Sequence, residues 1–233
     1  MTTEQPGLFD IPEKNKAAKP PEARKKIESG PQIPFLPGVK YDESFPEIID
    51  IEMLQQKASG CNWCGLRENC QQVVFGSGNT RSRIMFIGEG PGKDEDIQGV
   101  PFVGRAGQLL DKILAAADFE RQDVYIANVV KCRPPENRLP RTDEVQRCRN
   151  YLEAQIRIIQ PKIIICLGSL ATQTVIDPKA RITQVRGKWF NRQDIMIMGT
   201  FHPAALLRNE NYKRPVWEDF KLIRQAFASL NNR

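Results

Sequence analysis

Short apolar runs alternate with amphipathic stretches over most of this chain. Arg83 to Gly88 carries the run RIMFIG, which predicts a buried strand ending in a glycine-rich turn. Ala106 to Ala117 places Leu109, Leu110, Ile113 and Leu114 on one helical face. Val124 to Val130 reads as a second strand and Lys162 to Leu167 as a third. Between them a helix is expected from Thr142, as N-cap, to about Ile159, with Asp143 and Glu144 in its first turn. Ser169 to Ile176 is a short helix and Ile182 to Phe190 a hairpin around Arg186-Gly187. Ile195 to Phe201 is a further strand, and Pro215 to Leu230 a closing helix. Strands alternating with helices predict an α/β fold, a three-layer sandwich with a central four-stranded, mostly parallel sheet.

Residues 1–45 break this pattern. Seven of the 17 prolines fall in the first 40 residues, among Lys, Glu and Ala. Such a stretch buries too little apolar surface to order itself, so it reads as a disordered tail, leaving residues 46–233 as one folded domain. No apolar run reaches 18 residues and no secretory leader is visible, so a cytoplasmic, membrane-free monomer is expected. The formal net charge is +6, of which the first 28 residues contribute +1, from six Lys/Arg against five Asp/Glu. The remaining basic excess suits a phosphate-backbone partner, although many soluble proteins are equally basic.

In parallel sheets, ligands bind beyond the carboxyl ends of the strands. Three predicted strand ends run into polar or glycine-rich sequence: Gly88 to Gly92, Asn128 to Cys132, and His202-Pro203. His202 is the one histidine of the chain. Six cysteines in a reducing compartment point to a metal or to buried thiols rather than disulfides. Cys61 and Cys64 form a C-x-x-C, and Cys132 and Cys148 form a second pair, enough for a four-thiolate site. Spacing alone does not choose iron–sulfur over zinc. Cys166 sits in an apolar run and reads as core. Cys70 is a decoy or a substitute ligand, with Cys64 preferred.

The run GEGPGKDEDIQGVPFVGRAGQLL from Gly88 to Leu110 resembles the first signature of the family 4 (thermophile-type) uracil-DNA glycosylases. NVVKCRPPEN from Asn128 and HPAALLRN from His202 resemble the second and third, and the cysteines at 61, 64, 132 and 148 also fit. The resemblance spans roughly residues 50–230. It implies a [4Fe–4S] cluster of structural role on those four cysteines, and a monofunctional enzyme that flips uracil out of DNA and leaves an abasic site. It further implies Glu89 and His202 as catalytic groups, for water positioning and leaving-group stabilisation. Gly90, Glu95, Phe102 and Asn128 would hold the uracil, Asn128 reading its O4 and N3–H, Phe102 stacking and Glu95 crowding C5. Without the motif, Phe102 reads as a core aromatic and Glu95 as a solvated acid. Arg105, Lys131, Arg133 and Arg208 are expected on DNA phosphates, with Arg138 a further candidate, and Leu206 or Leu207 as the wedge filling the vacated stack. No motif position offers a Schiff-base lysine. Gln5, Leu8 and Phe9, in QPGLF, resemble the bacterial sliding-clamp-binding motif. Two other readings compete: a same-fold glycosylase with a different damaged base, and a non-enzymatic iron–sulfur nucleic-acid-binding module.

Overall fold

The computed structural model describes Phe45 and residues 47–230. The clamp-motif residues Gln5, Leu8 and Phe9 lie outside the described residues, as does nearly all of the expected tail. Among the described residues the strands are β1 (Ser77–Gly78), β2 (Ile84–Gly88), β3 (Tyr125–Asn128), β4 (Ile163–Leu167), β5 (Trp189–Arg192) and β6 (Ile195–Thr200). They form one sheet of order β1-β3-β2-β4-β6-β5. The four strands β3, β2, β4 and β6 are mutually parallel, while β1 and β5 pair antiparallel at the two edges. The expected four-stranded parallel sheet is therefore the centre of a mixed six-stranded one.

The helices are α1 (Ile51–Ser59), α2 (Leu66–Asn69), α3 (Lys93–Gln98), α4 (Arg105–Ala116), α5 (Thr142–Ile159), α6 (Ser169–Val175), α7 (Ile182–Val185), α8 (Pro203–Arg208) and α9 (Lys213–Leu230). Successive strand side chains point to opposite faces, and both faces of the central strands are covered. Met85, Ile87, Ile164 and Cys166 pack with α1 and α5, through Leu54, Leu152 and Ile156. Ile84, Phe86, Ile163 and Ile165 pack with α4 and α9, through Leu110, Ile113, Phe220 and Ile223. Each such fully buried aliphatic side chain contributes about 1.5–3 kcal/mol. Among the described residues no helix is long and apolar enough to cross a membrane.

Two local expectations differ from the structure. Residues 182–190 are not a hairpin: Ile182–Val185 is the short helix α7, and the hairpin joins β5 to β6 through Gln193, whose φ is 54°. Arg186 and Gly187 do not turn that hairpin. Arg186 leaves the chain to fork onto the buried Asp219 carboxylate, at 2.6 and 3.1 Å. The other is the N-cap of α5, which is Arg141, one residue before Thr142; its N–H donates to Glu144 Oε2 at 2.6 Å.

Candidate active site

The parallel strands deliver β2, β3, β4 and β6 to one edge of the sheet, and a cavity of about 870 Å³ opens there. Glu89, Gly90, Glu95, Phe102, Asn128, Gly168, His202 and Arg208 all line it. Four strand ends and the segments that follow them thus build one pocket, as expected for ligand sites of parallel sheets.

Asn128 is the last residue of β3 and pairs in register with Gly88, the last of β2. Its side chain is 1% exposed, and its Oδ1 has no hydrogen-bond partner. A buried acceptor left unpaired costs on the order of 1–3 kcal/mol, so this oxygen is prepared for a donor that arrives with a ligand. Gly88 makes the space: a Cβ there would meet Asn128 Oδ1 and lie 2.5 Å from Phe102 Cζ.

Phe102 holds φ at 55°, the left-handed region that a bulky residue adopts at a cost of about 1–3 kcal/mol. Its surroundings force that conformation. Arg121 Nη1 donates to Phe102 O at 3.0 Å and to Asp111 Oδ1 at 2.6 Å, and Nη2 donates to Pro101 O. Gly107 follows in α4, and any Cβ there would collide with Phe102 O. The ring so fixed faces His202, with centroids 5.5 Å apart and planes 31° apart.

His202 caps the N-terminus of α8. Its Nδ1 accepts the Ala204 N–H at 3.1 Å, so a neutral ring carries its proton on Nε2. Desolvation, reinforced by the charge of Arg208, pushes its pKa down to about 4. The imidazole is therefore a neutral N–H donor at physiological pH. Gly168, with φ at 91°, closes its back, where a Cβ would come 2.9 Å from His202 Cβ. Glu89 is half-buried, and desolvation raises its pKa above the usual carboxylate value, opposed by Arg208.

Glu95 is differently employed. Oε1 accepts the N–H groups of Val103 and Gly104, both at 2.9 Å, and Oε2 accepts Gly92 N–H at 3.1 Å. It lines the pocket while tying the glycine-rich turn to the segment carrying Phe102.

The basic and apolar residues separate on burial. Lys131 is 2% exposed, with Nζ donating to Asn128 O at 2.8 Å and Gln155 Oε1 at 2.6 Å. Burial pushes its pKa down to about 8. The expectation that it contacts phosphate fails, because its ammonium points into the protein and holds the end of β3. Leu206 is 0% exposed and part of the core, which removes it as a wedge; Leu207 is 45% exposed on α8. Arg138 forks onto Glu144 at 2.6 and 2.8 Å and braces the loop after β3. Arg105 is exposed at the start of α4, Arg208 is exposed at the end of α8, and Arg133 is half-buried with Nε on Asn137 Oδ1 at 2.8 Å.

Cys61, Cys64, Cys132 and Cys148 line one small cavity on the α1–α5 side, with Lys131 among its walls. Lys131 N–H donates to Cys148 Sγ at 3.2 Å, so one residue touches both this cavity and Asn128. Burial raises the Cys64 pKa and pushes Cys148 up to about 12. Cys70 stands outside the cavity but accepts a hydrogen bond from Cys132, which lowers its pKa to about 7 and raises that of Cys132. Among the described residues, no three His, Cys, Asp or Glu close to the spacing that grips a metal ion. The four thiols nonetheless share one cavity, the donor type and number that a four-thiolate site requires. Cys166 is buried in β4.

Arg121, Asp111 and Gly168 belong to this site and escaped the sequence reading. Gly168 carried a signal, a glycine between an apolar strand and a helix. Arg121 and Asp111 carried none.

Residues 75–221 match the uracil DNA glycosylase superfamily. The chain is 45% identical over 177 residues to a type-4 uracil-DNA glycosylase of Thermotoga maritima, covering 73% of this chain and 91% of that protein. It is 42% identical over 184 residues to the Sulfurisphaera tokodaii type-4 enzyme, covering 75% and 84%. Against that of Archaeoglobus fulgidus it is 38% identical over 189 residues, covering 78% and 92%.

Proposed function

Because the chain belongs to the uracil DNA glycosylase superfamily, among its type-4 members, we infer that it excises uracil from DNA in repair. The single observation that carries this for the pocket is the orphaned Asn128 Oδ1 at its floor. Uracil presents an N3–H donor beside its O4 acceptor, and the Asn128 carboxamide offers the complement: Oδ1 to N3–H and Nδ2 to O4. Cytosine carries an acceptor at N3 and an amino group at C4, so both pairs would be mismatched.

The glycosidic bond is unreachable inside the stack, so the nucleotide turns out into the pocket. Phe102 stacks on its face, and the constrained backbone keeps that ring in place before the base arrives. The C1′–N1 bond then breaks, and its electron pair leaves with the base as a uracil anion. The Nε2–H of neutral His202 donates to O2, where that charge gathers. The sugar becomes oxocarbenium-like. Glu89 holds the water that adds to C1′ and faces the positive charge; Gly90 lets the turn approach closely. The water's oxygen bonds to C1′ and the proton it gives up neutralises the uracil anion by way of solvent, giving uracil and an abasic site.

The described residues lining the pocket include no lysine, which supports a monofunctional reaction without strand cleavage. Arg105, Arg133 and Arg208 are the groups we assign to phosphates, with Leu207 the wedge of α8.

Cys61, Cys64, Cys132 and Cys148 would hold a [4Fe–4S] cluster, in keeping with the sequence resemblance and their shared cavity. When bound, it would tie the segment before β1 to the loop after β3. Lys131 would carry that order to Asn128.

The test is incubation with an oligonucleotide bearing one uracil, followed by alkali. Cleavage only after alkali is expected. Nicking without alkali contradicts the monofunctional assignment, and no product from well-folded protein contradicts the function.

A further inference from the structure

Leu139 is 68% exposed and lines the pocket. It sits in the loop after β3, whereas α8, with Leu207, follows β6. In the sheet order these strands lie on either side of β2 and β4, so the Leu139 loop and α8, whose Ala204, Ala205 and Arg208 line the pocket, stand on its two flanks.

The loop is built to keep Leu139 outside. Arg138 Nη1 donates to Leu139 O at 2.9 Å while the same guanidinium forks onto Glu144. Pro140 on its other side is buried. Glu136 and Asn137 hold φ at 53° and 55°, and Asn137 N–H returns to Pro134 O at 3.1 Å. A loop pinned at so many points does not collapse to cover a leucine. It forgoes the free energy that burial would return. Exposed Arg141 and half-buried Arg133 stand in the same segment, which matches the charge of a phosphate backbone. An apolar side chain thrust out between cations beside the pocket has the make-up of a stack-opening wedge.

We propose that Leu139 is a wedge that enters the base stack of duplex DNA as the target nucleotide leaves it, working from the β3 flank while Leu207 works from the β6 flank. The inference rests on the reading of this pocket as the uracil site. A single strand has no paired stack to open, so a wedge residue matters most on duplex substrate.

The experiment measures kcat/KM for wild type, Leu139→Ala and Leu139→Met on the same uracil oligonucleotide, single-stranded and paired with adenine opposite uracil. Leu139→Ala is expected to lose at least tenfold more on the duplex than on the single strand, and Leu139→Met to recover most of that loss. Thermal unfolding, unchanged by truncation of so exposed a side chain, confirms intact protein. Equal losses on both substrates would make Leu139 an ordinary pocket wall and overturn the proposal. So would an undiminished duplex rate. Wild-type protein inactive on both strands would instead overturn the uracil reading on which the inference stands.

Discussion

Replacing Gly88 by alanine should slow catalysis on the order of 100-fold while leaving the protein folded. The new Cβ would lie 2.5 Å from Phe102 Cζ and 2.6 Å from Cε2, and would also meet Asn128 Oδ1. Carbon atoms rest at about 3.5–4.0 Å, so something must move by roughly 1 Å. Gly88 and Asn128 are fixed by their register in the sheet, and Arg121 pins the backbone of Phe102. The displacement therefore falls on the stacking ring and the Asn128 carboxamide. Overpacking of this kind costs about 1–3 kcal/mol of stability. A reactive geometry displaced by about 1 Å loses on the order of 100-fold in rate. Single-turnover excision and urea denaturation on the same preparation separate the two effects. Gly60→Ala is the control, since its Cβ would find only Lys57 O, at 3.9 Å. Gly88→Ala that excises uracil within a few-fold of wild type would mean that the pocket floor tolerates what the geometry forbids, and that Gly88 does not set the place of Phe102 and Asn128.

Acid should destabilise the protein through His202. Its folded pKa of about 4 lies below the unfolded value of 6.5, so the unfolded chain binds the proton first. Stability from this group is full above pH 6.5 and is lost as pH falls toward 4, by about 1–3 kcal/mol after allowance for the ring's partial exposure. Urea midpoints at pH 7.5 and 4.5 should fall further for wild type than for His202→Gln; parallel falls would contradict the assignment. For the cysteines, Cys64→Ser should abolish the broad visible absorbance and the bound iron of protein purified without air, whereas Cys70→Ser should retain both. The reverse result would exchange their roles, and stoichiometric zinc in place of iron would remove the cluster.

The fold was largely legible because its central strands are unbroken apolar runs and its long helices carry clear faces. α5 ends where the pattern placed it and starts one residue earlier, and the convergence of strand ends on one edge followed from parallel topology alone. Periodicity failed where elements were short. α7 is one turn of four residues, too brief to show a helical face, so its apolar residues read as strand. Leu206 and Leu207 are adjacent in sequence, and only the angle at which α8 leaves His202 decides which one turns inward. Lys131 read as a surface cation because lysine is seldom buried; Gln155, 24 residues away, and the Asn128 carbonyl receive it. Arg121 and Asp111 act on Phe102 through its backbone carbonyl, which leaves no trace in a residue pattern.

In the proposed function, Asn128 and His202 recognise uracil and stabilise its departure. The most direct measurement is single-turnover release of uracil from a single-stranded oligonucleotide by wild type, Asn128→Leu and His202→Gln, each verified as folded. Loss of one oriented donor to developing charge costs about 100- to 1,000-fold. A loss of that order is expected for His202→Gln and one at least as large for Asn128→Leu. Uracil released by Asn128→Leu at the wild-type rate would contradict that function.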